Sequence, residues 1–282
     1  MRLSRSRICA IAILALFVGA GAGCSLIGKV RAKNELNEAA KAYKEGHFED
    51  AEQHARKALA FDPENRTATI FVARIIHQQY KPGVDSPDNI QKARDAVEAY
   101  KRVLQIDPKS EEAFQAISYL YAAIKDDANF RQWISTRAND ANQTNEKRAE
   151  AYAILAGKDW DCSYKVTELP EVKQVATEGE GKVNYVKPKD PKDFDNIQKC
   201  VTRGLEEAET SIKYDPNNEN AWSYKTNLLV EAAKIATMNG EADKSSQYEK
   251  QAEVARKRDA ELVEAARKRQ EALDQASGSP TP

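Results

Sequence analysis

Apolar side chains recur three and four residues apart along most of this chain, and three of the longest such stretches close on the same signal. The clearest is FEDAEQHARKALAFDPEN, residues 48–65, which returns as ARDAVEAYKRVLQIDPKS from Ala93 and as CVTRGLEEAETSIKYDPNN from Cys200. Aligned on Pro63, Pro108 and Pro216, the copies place Asp62, Asp107 and Asp215 immediately before the proline. Phe61, Ile106 and Tyr214 stand two before it, and Leu59, Leu104 and Ile212 four before. Small residues hold two further positions: Ala51, Ala96 and Gly204 upstream, Ala68, Ala113 and Ala221 downstream. Spacings of three and four put these residues on one face of a helix, and small side chains there predict helices in close contact.

Proline lacks an amide hydrogen and disfavours α geometry in the residue before it, so each Asp-Pro predicts the end of one helix. Asn65, Ser110 and Asn218 follow at N-cap positions, where a side-chain oxygen accepts from an orphan amide of the next helix. Between these signals lie further helical stretches. TATIFVARIIHQQY carries Ile70, Phe71, Ile75 and Ile76, and the KPGVDSPDN that follows reads as a surface loop. EEAFQAISYLYAAIK carries Phe114, Ile117, Leu120 and Ile124, followed by a weaker helix, NFRQWISTRANDA, with Trp133 and Ile134. KRAEAYAILAGKDWDC predicts a helix from about Asn145 to Trp160. Helix, turn and helix in succession predict an all-α solenoid.

With Gly46, Phe48, Ala51, Ala58 and Pro63 in register, the first copy resembles the tetratricopeptide repeat, and Phe114 and Trp222 match the bulky residue near the start of that family's first helix. Two departures stand out. The first two prolines are 45 residues apart and the next two 108, which requires insertions or degenerate repeats. The resemblance implies a TPR-like α-solenoid of antiparallel helix pairs divided as follows: repeats at 34–65, 66–110 with a loop insertion, 111–144 (degenerate) and 145–218 with a second insertion at 163–195, then capping helices at 219–275 and a disordered tail at 276–282. It also implies a peptide-binding groove lined by the first helix of each repeat. In this register the groove residues are Leu36, Ala40, Tyr43 and Lys44, then Ile70, Arg74, His77 and Gln78, then Gln115, Tyr119, Ala122 and Ala123. Tyr and Arg make good interface anchors, and Lys44 with Arg74 would suit a carboxylate or a chain terminus.

The 163–195 segment breaks the helical period. Its β-branched residues, its Gly-Glu-Gly and its flanking prolines fit either an exposed β-hairpin around residues 175–186 or a loop without strands. Cys162 and Cys200 flank it, and outside the cytoplasm they would form a disulfide at its base; two buried thiols or a zinc site are the alternatives, the latter without any nearby His or CxxC. In the last helix Ala252, Ala255, Leu262, Ala266 and Leu273 trace a heptad-like seam. Its two Ala-Arg-Lys-Arg runs fit an anionic partner or, given the surrounding glutamates, internal salt pairing.

The N-terminus sets the compartment. Arg2, Arg5 and Arg7 precede an uncharged run from Ile8 to Gly28, which reads as a targeting segment over residues 1–23. GAGC, closing on Cys24, resembles the bacterial lipobox, although Gly21 stands where Leu is usual. The resemblance implies a Cys24 carrying lipid (palmitate) as the mature N-terminus, residues 24–33 as anchor and tether, and passage to the outer membrane, since Ser25 rather than Asp follows. An ordinary cleavable signal and an uncleaved span are the alternatives, and all three leave the remainder outside the cytoplasm.

Composition excludes little that the pattern has not. The 43 basic and 44 acidic residues nearly cancel, which gives no global attraction to nucleic acid. No phosphate-binding glycine loop, nucleophile elbow or His-Glu-x-x-His is present. His47 and His54 lack a third ligand, so no metal, cofactor or catalytic residue is expected. What remains is a non-catalytic scaffold binding protein or peptide segments in the cell envelope. The alternatives are an assembly lipoprotein for outer-membrane proteins or pilus secretins, and an envelope enzyme or glycan-binding protein using the 163–195 insertion. The sequence does not set the oligomeric state.

Overall fold

In the computed structural model, which describes residues 26–175 and 183–277, each Asp-Pro closes a helix and opens the next. α1 covers residues 26–44. α2 (Phe48–Phe61) ends on Asp62, whose backbone N–H donates to the Ala58 carbonyl, and α3 (Arg66–Gln79) starts from Asn65, whose side chain accepts from the Ala68 amide. The same junction recurs between α4 (Pro87–Ile106) and α5 (Glu111–Ala123), through Asp107 and Ser110. It recurs again between α8 (Pro191–Tyr214) and α9 (Glu219–Met238), through Asp215 and Asn218. A cap of this kind contributes about 1 kcal/mol, so the repeated signal has structural content at all three places.

The remaining helices are α6 (Asp127–Asn139), α7 (Asn145–Thr167) and α10 (Ala242–Ser277). The fold is an all-α, TPR-like solenoid of antiparallel helix pairs, and its contacts divide it into two units, 1–130 and 131–282.

In the first unit α2 packs on α3, α3 on α4 and α4 on α5. The small residues sit at the contacts: Ala51, Ala68, Ala96 and Ala113 are all fully buried. Ala32 of α1 closes on Ala58 and Ala68, with Leu36 and Leu59 over them. Helix therefore starts at least eight residues before the Asn34 expected from sequence, and residues 26–33 are not a tether.

In the second unit α7 packs on α8 and α9, and α9 on α8 and α10. Gly204 occupies the position of Ala51 and Ala96: a Cβ there would lie 2.8 Å from Cδ2 of Leu228 and 2.9 Å from Cβ of Asp159. α7 continues two turns past Trp160, so the insertion is shorter than 163–195 and both cysteines lie inside helices. Cys162 and Cys200 are joined by a disulfide, with their Cα atoms 6.3 Å apart. The insertion carries an antiparallel hairpin, β1 (Lys173–Val175) with β2 (Val183–Tyr185), in which Gln174 pairs with Asn184. Its tip, the targeting segment with Cys24, and residues 278–282 of the tail lie outside the described residues.

Candidate functional site

Three successive first helices, α1, α3 and α5, bring some of the expected groove residues of the first unit together, while Leu36 packs inward on Ala58 and Ala68. Tyr43 near the end of α1 meets Phe48 of α2 edge-on and Phe71 of α3, both with ring centres 5.4 Å away. Two turns along α3, His77 lies 5.8 Å from the ring of Tyr100 and 5.7 Å from that of Tyr119 on α5. Between the two aromatic groups Arg74 reaches across to α5 and grips the Glu112 carboxylate with both Nε and Nη2, each at 2.6 Å. Four of the expected groove positions thus make contacts between these helices. Tyr43 packs on Phe71, Arg74 pairs with Glu112, and His77 packs on Tyr100 and Tyr119, while Lys44 is exposed, with no ion pair among the described residues.

The charge state of this face follows from its contacts. The Glu112 hydrogen bond holds the Arg74 guanidinium firmly protonated, and the same contact holds the Glu112 carboxyl below its ordinary range. Burial pushes the Tyr100 hydroxyl up to about 12, with Glu112 adding and Arg74 opposing. Burial also lowers His77, whose Nδ1 lies 3.3 Å from the Tyr100 hydroxyl. The face therefore presents aromatic rings and one satisfied ion pair. A carboxylate clamp formed by Lys44 with Arg74 is not what the structure builds, because the guanidinium fork is already turned to Glu112. Tyr119 is the anchor most open to solvent, at 48% exposure.

Sequence reasoning missed Tyr100 and Glu112. Tyr100 belongs to a second helix, which the groove register does not count, yet its hydroxyl reaches His77. Glu112 lies 38 residues from Arg74, at the start of the following first helix. An exposed Arg paired with a Glu at the next repeat's helix start is a signal that only a stacked arrangement reveals.

The insertion expected as an alternative site is tied down instead by its own network. Glu231 of α9, 1% exposed, accepts from Ser163 Oγ at 2.9 Å, Thr167 Oγ1 at 2.7 Å and Lys234 Nζ at 2.7 Å. Lys234 also donates to Glu168 and lies 4.9 Å from the ring centre of Tyr185 on β2. These groups satisfy one another, as buried polar groups must. Along α10, Arg256 pairs with Glu253, Arg258 with Glu261 and Arg267 with Glu264 and Glu271, so these arginines of the two Ala-Arg-Lys-Arg runs serve internal pairing. No cluster of three metal-ligating side chains occurs among the described residues; His54 faces Glu35 at 2.7 Å and His47 lies 3.6 Å from Glu45.

No family model matches the chain, and no curated protein matches it in sequence. Among solved structures it is similar to MamA of Desulfovibrio magneticus RS-1, at 11% identity and a TM-score of 0.37, over 80% of this chain and 96% of that one. It is similar to YrrB, described as a TPR protein with an unusual peptide-binding site, at 12% identity and a TM-score of 0.31, over 83% and 90%. It is also similar to PilF of Pseudomonas aeruginosa, at 13% identity and a TM-score of 0.31, over 78% and 90%.

Proposed function

We propose that this chain is a non-catalytic scaffold of the bacterial cell envelope, tethered through lipid on Cys24, whose first unit holds an extended segment of another envelope protein. The observation that carries the reading is the face built by Tyr43, Phe71, His77 and Tyr119 around the Arg74–Glu112 pair. Rigid rings give contact area at low entropic cost, and anchors of this kind dominate interface energies. The exposed Lys44, next to Tyr43 in the chain, favours a guest with a carboxylate near an apolar side chain. Periplasmic orientation and a position in the outer membrane are part of the proposal, supported by the three N-terminal arginines, the uncharged run after them and the GAGC before Ser25.

A photo-crosslinking residue at position 119 tests the groove, with one at position 254 in the second unit as control. A discrete adduct from 119 alone, lost on Tyr43→Ala with Lys44→Ala, is the expected result. Equal adducts from both positions, or an adduct indifferent to the double substitution, would remove the groove from the reading. Metabolic labelling with a palmitate analogue, present in the natural chain and absent in Cys24→Ala, tests the tether separately.

A further inference from the structure

The start of α1 leaves uncovered what the rest of the first unit covers. Leu26, Ile27 and Val30 are 68%, 57% and 60% exposed, on spacings of one and four that make a single outward stripe. The opposite side of the same turns is the packed one: Ala32 is fully buried, and a Cβ on Gly28 would stand 2.7 Å from the Phe61 carbonyl oxygen. Fold stability therefore does not account for the stripe. Its flanks are basic, with exposed Lys29 and Lys33 on one side and Arg31 on the other. Between Leu26 and Asn34 there is no acid. Arg31 also covers Phe61, itself 41% exposed, which extends the apolar area onto the end of α2.

An apolar stripe between basic edges is the geometry of a helix lying in a membrane interface, aliphatic side chains among the acyl chains and ammonium groups at the phosphates. A peptide partner would be expected to match a groove, whereas this is an exposed helix face two turns long. Its place in the chain agrees, since Cys24 stands two residues before Leu26 and 25 residues precede the described ones.

We propose that the first two turns of α1 are a second membrane contact, seated on anionic phospholipid beside the lipid of Cys24. The inference rests on the tethered reading for its orientation but adds a distinct claim: the chain does not hang from a flexible leash, because the first helix of the binding unit itself touches the bilayer.

The test uses the full chain as cells process it, reconstituted into vesicles of phosphatidylethanolamine and phosphatidylglycerol with or without brominated acyl chains. Val30→Trp and Val254→Trp each place an added indole at an exposed site, so neither disturbs the core. Bromine should quench the added emission of Val30→Trp at least about twofold more than that of Val254→Trp. Adding Lys29→Gln and Lys33→Gln, or replacing phosphatidylglycerol by phosphatidylcholine, should reduce the difference, since each lysine near an anionic surface is worth roughly fivefold in partitioning. Val30→Trp emission unquenched in vesicles that still carry the chain would overturn the contact and leave the tether standing. Emission blue-shifted yet indifferent to bromine would also overturn it, because a protein surface would then be the cover. The mass of the Cys24 peptide decides the tether independently: an unmodified Cys24 with a quenched Val30→Trp would remove the lipid and keep the helix contact.

Discussion

Gly204 stands where the other copies of the repeated stretch carry Ala51 and Ala96, and the reason for that glycine is legible only in the structure. A methyl group would meet Asp159 Cβ at 2.9 Å, and Asp159 cannot yield because Arg203 holds both its oxygens, at 2.6 and 2.7 Å. Gly204→Ala gains about 1 kcal/mol of helix propensity. Overpacking of a fixed neighbour costs about 1–3 kcal/mol, and the buried Leu228 on the other side makes the upper part of that range the relevant one. We expect a net loss of about 1 kcal/mol or more in urea unfolding; an Ala variant as stable as the natural chain would show that α8 and α9 yield at this contact. His77 makes a second test at this scale. Burial lowers its pKa, so the folded chain keeps the ring neutral at pH values where an exposed imidazole is already charged. Its contribution is present above the ordinary value of 6.5 and is lost as pH falls through the folded value. An NMR titration should place the His77 midpoint below the ordinary 6.5, and a midpoint at or above 6.5 would mean that the Tyr100 and Tyr119 rings do not shield it.

Among the elements, the Cys162–Cys200 disulfide has the largest expected effect. It joins the last turns of α7 to the middle of α8 across a sequence separation of 38, so the chain-entropy view assigns it about 4 kcal/mol. Cys162→Ala with Cys200→Ala should lower unfolding stability by about that amount while leaving helix content intact, because Ile197, Val201 and Ala232 still pack beside it. A change below about 1 kcal/mol would show that α7 and α8 are already held together in the unfolded ensemble. Helix ends and helix existence were legible in the sequence wherever the signal was local: Asp62, Asp107 and Asp215 close helices, and Asn65, Ser110 and Asn218 open them through their own side chains. The length of α7 was not legible, because Asp159, Ser163 and Thr167 read as polar residues past an apolar run. They are buried by Arg203 and Glu231, partners 44 or more residues away. The start of α1 was missed for a related reason, since its partners Ala58 and Ala68 come from later helices. The groove positions followed from repeat register, but their pairing did not: Arg74 finds Glu112 only once α3 and α5 stand side by side.

At the scale of the whole chain, 43 basic residues against 44 acidic ones leave almost no net charge, so global repulsion does not set how stability responds to pH. Most ion pairs are exposed and contribute little. Beside the His77 contribution in the first unit, the second unit carries a response of its own in one cluster. Arg131 lies 2.6 Å from Asp159 and 2.6 Å from Glu207, and Asp159 is also held by Arg203. Glu207 Oε2 has no hydrogen-bond partner among the described residues. Burial and the neighbouring Asp159 carboxylate outweigh Arg131 and raise Glu207 to about 7. The proton is therefore bound more tightly in the folded chain than in the unfolded one, where the value is 4.5. Between those two values the folded state holds a proton that the unfolded state has released, so stability falls as pH rises through the window. Urea unfolding followed at about pH 5 and about pH 8 should show the natural chain weaker at the higher pH, in the same transition that moves when the disulfide is reduced. Glu207→Gln keeps the shape and the Arg131 contact but cannot ionise, so its stability should change much less between the two conditions. An undiminished fall in the Gln variant would place the sensitive group elsewhere and show that Arg131 holds Glu207 ionised throughout.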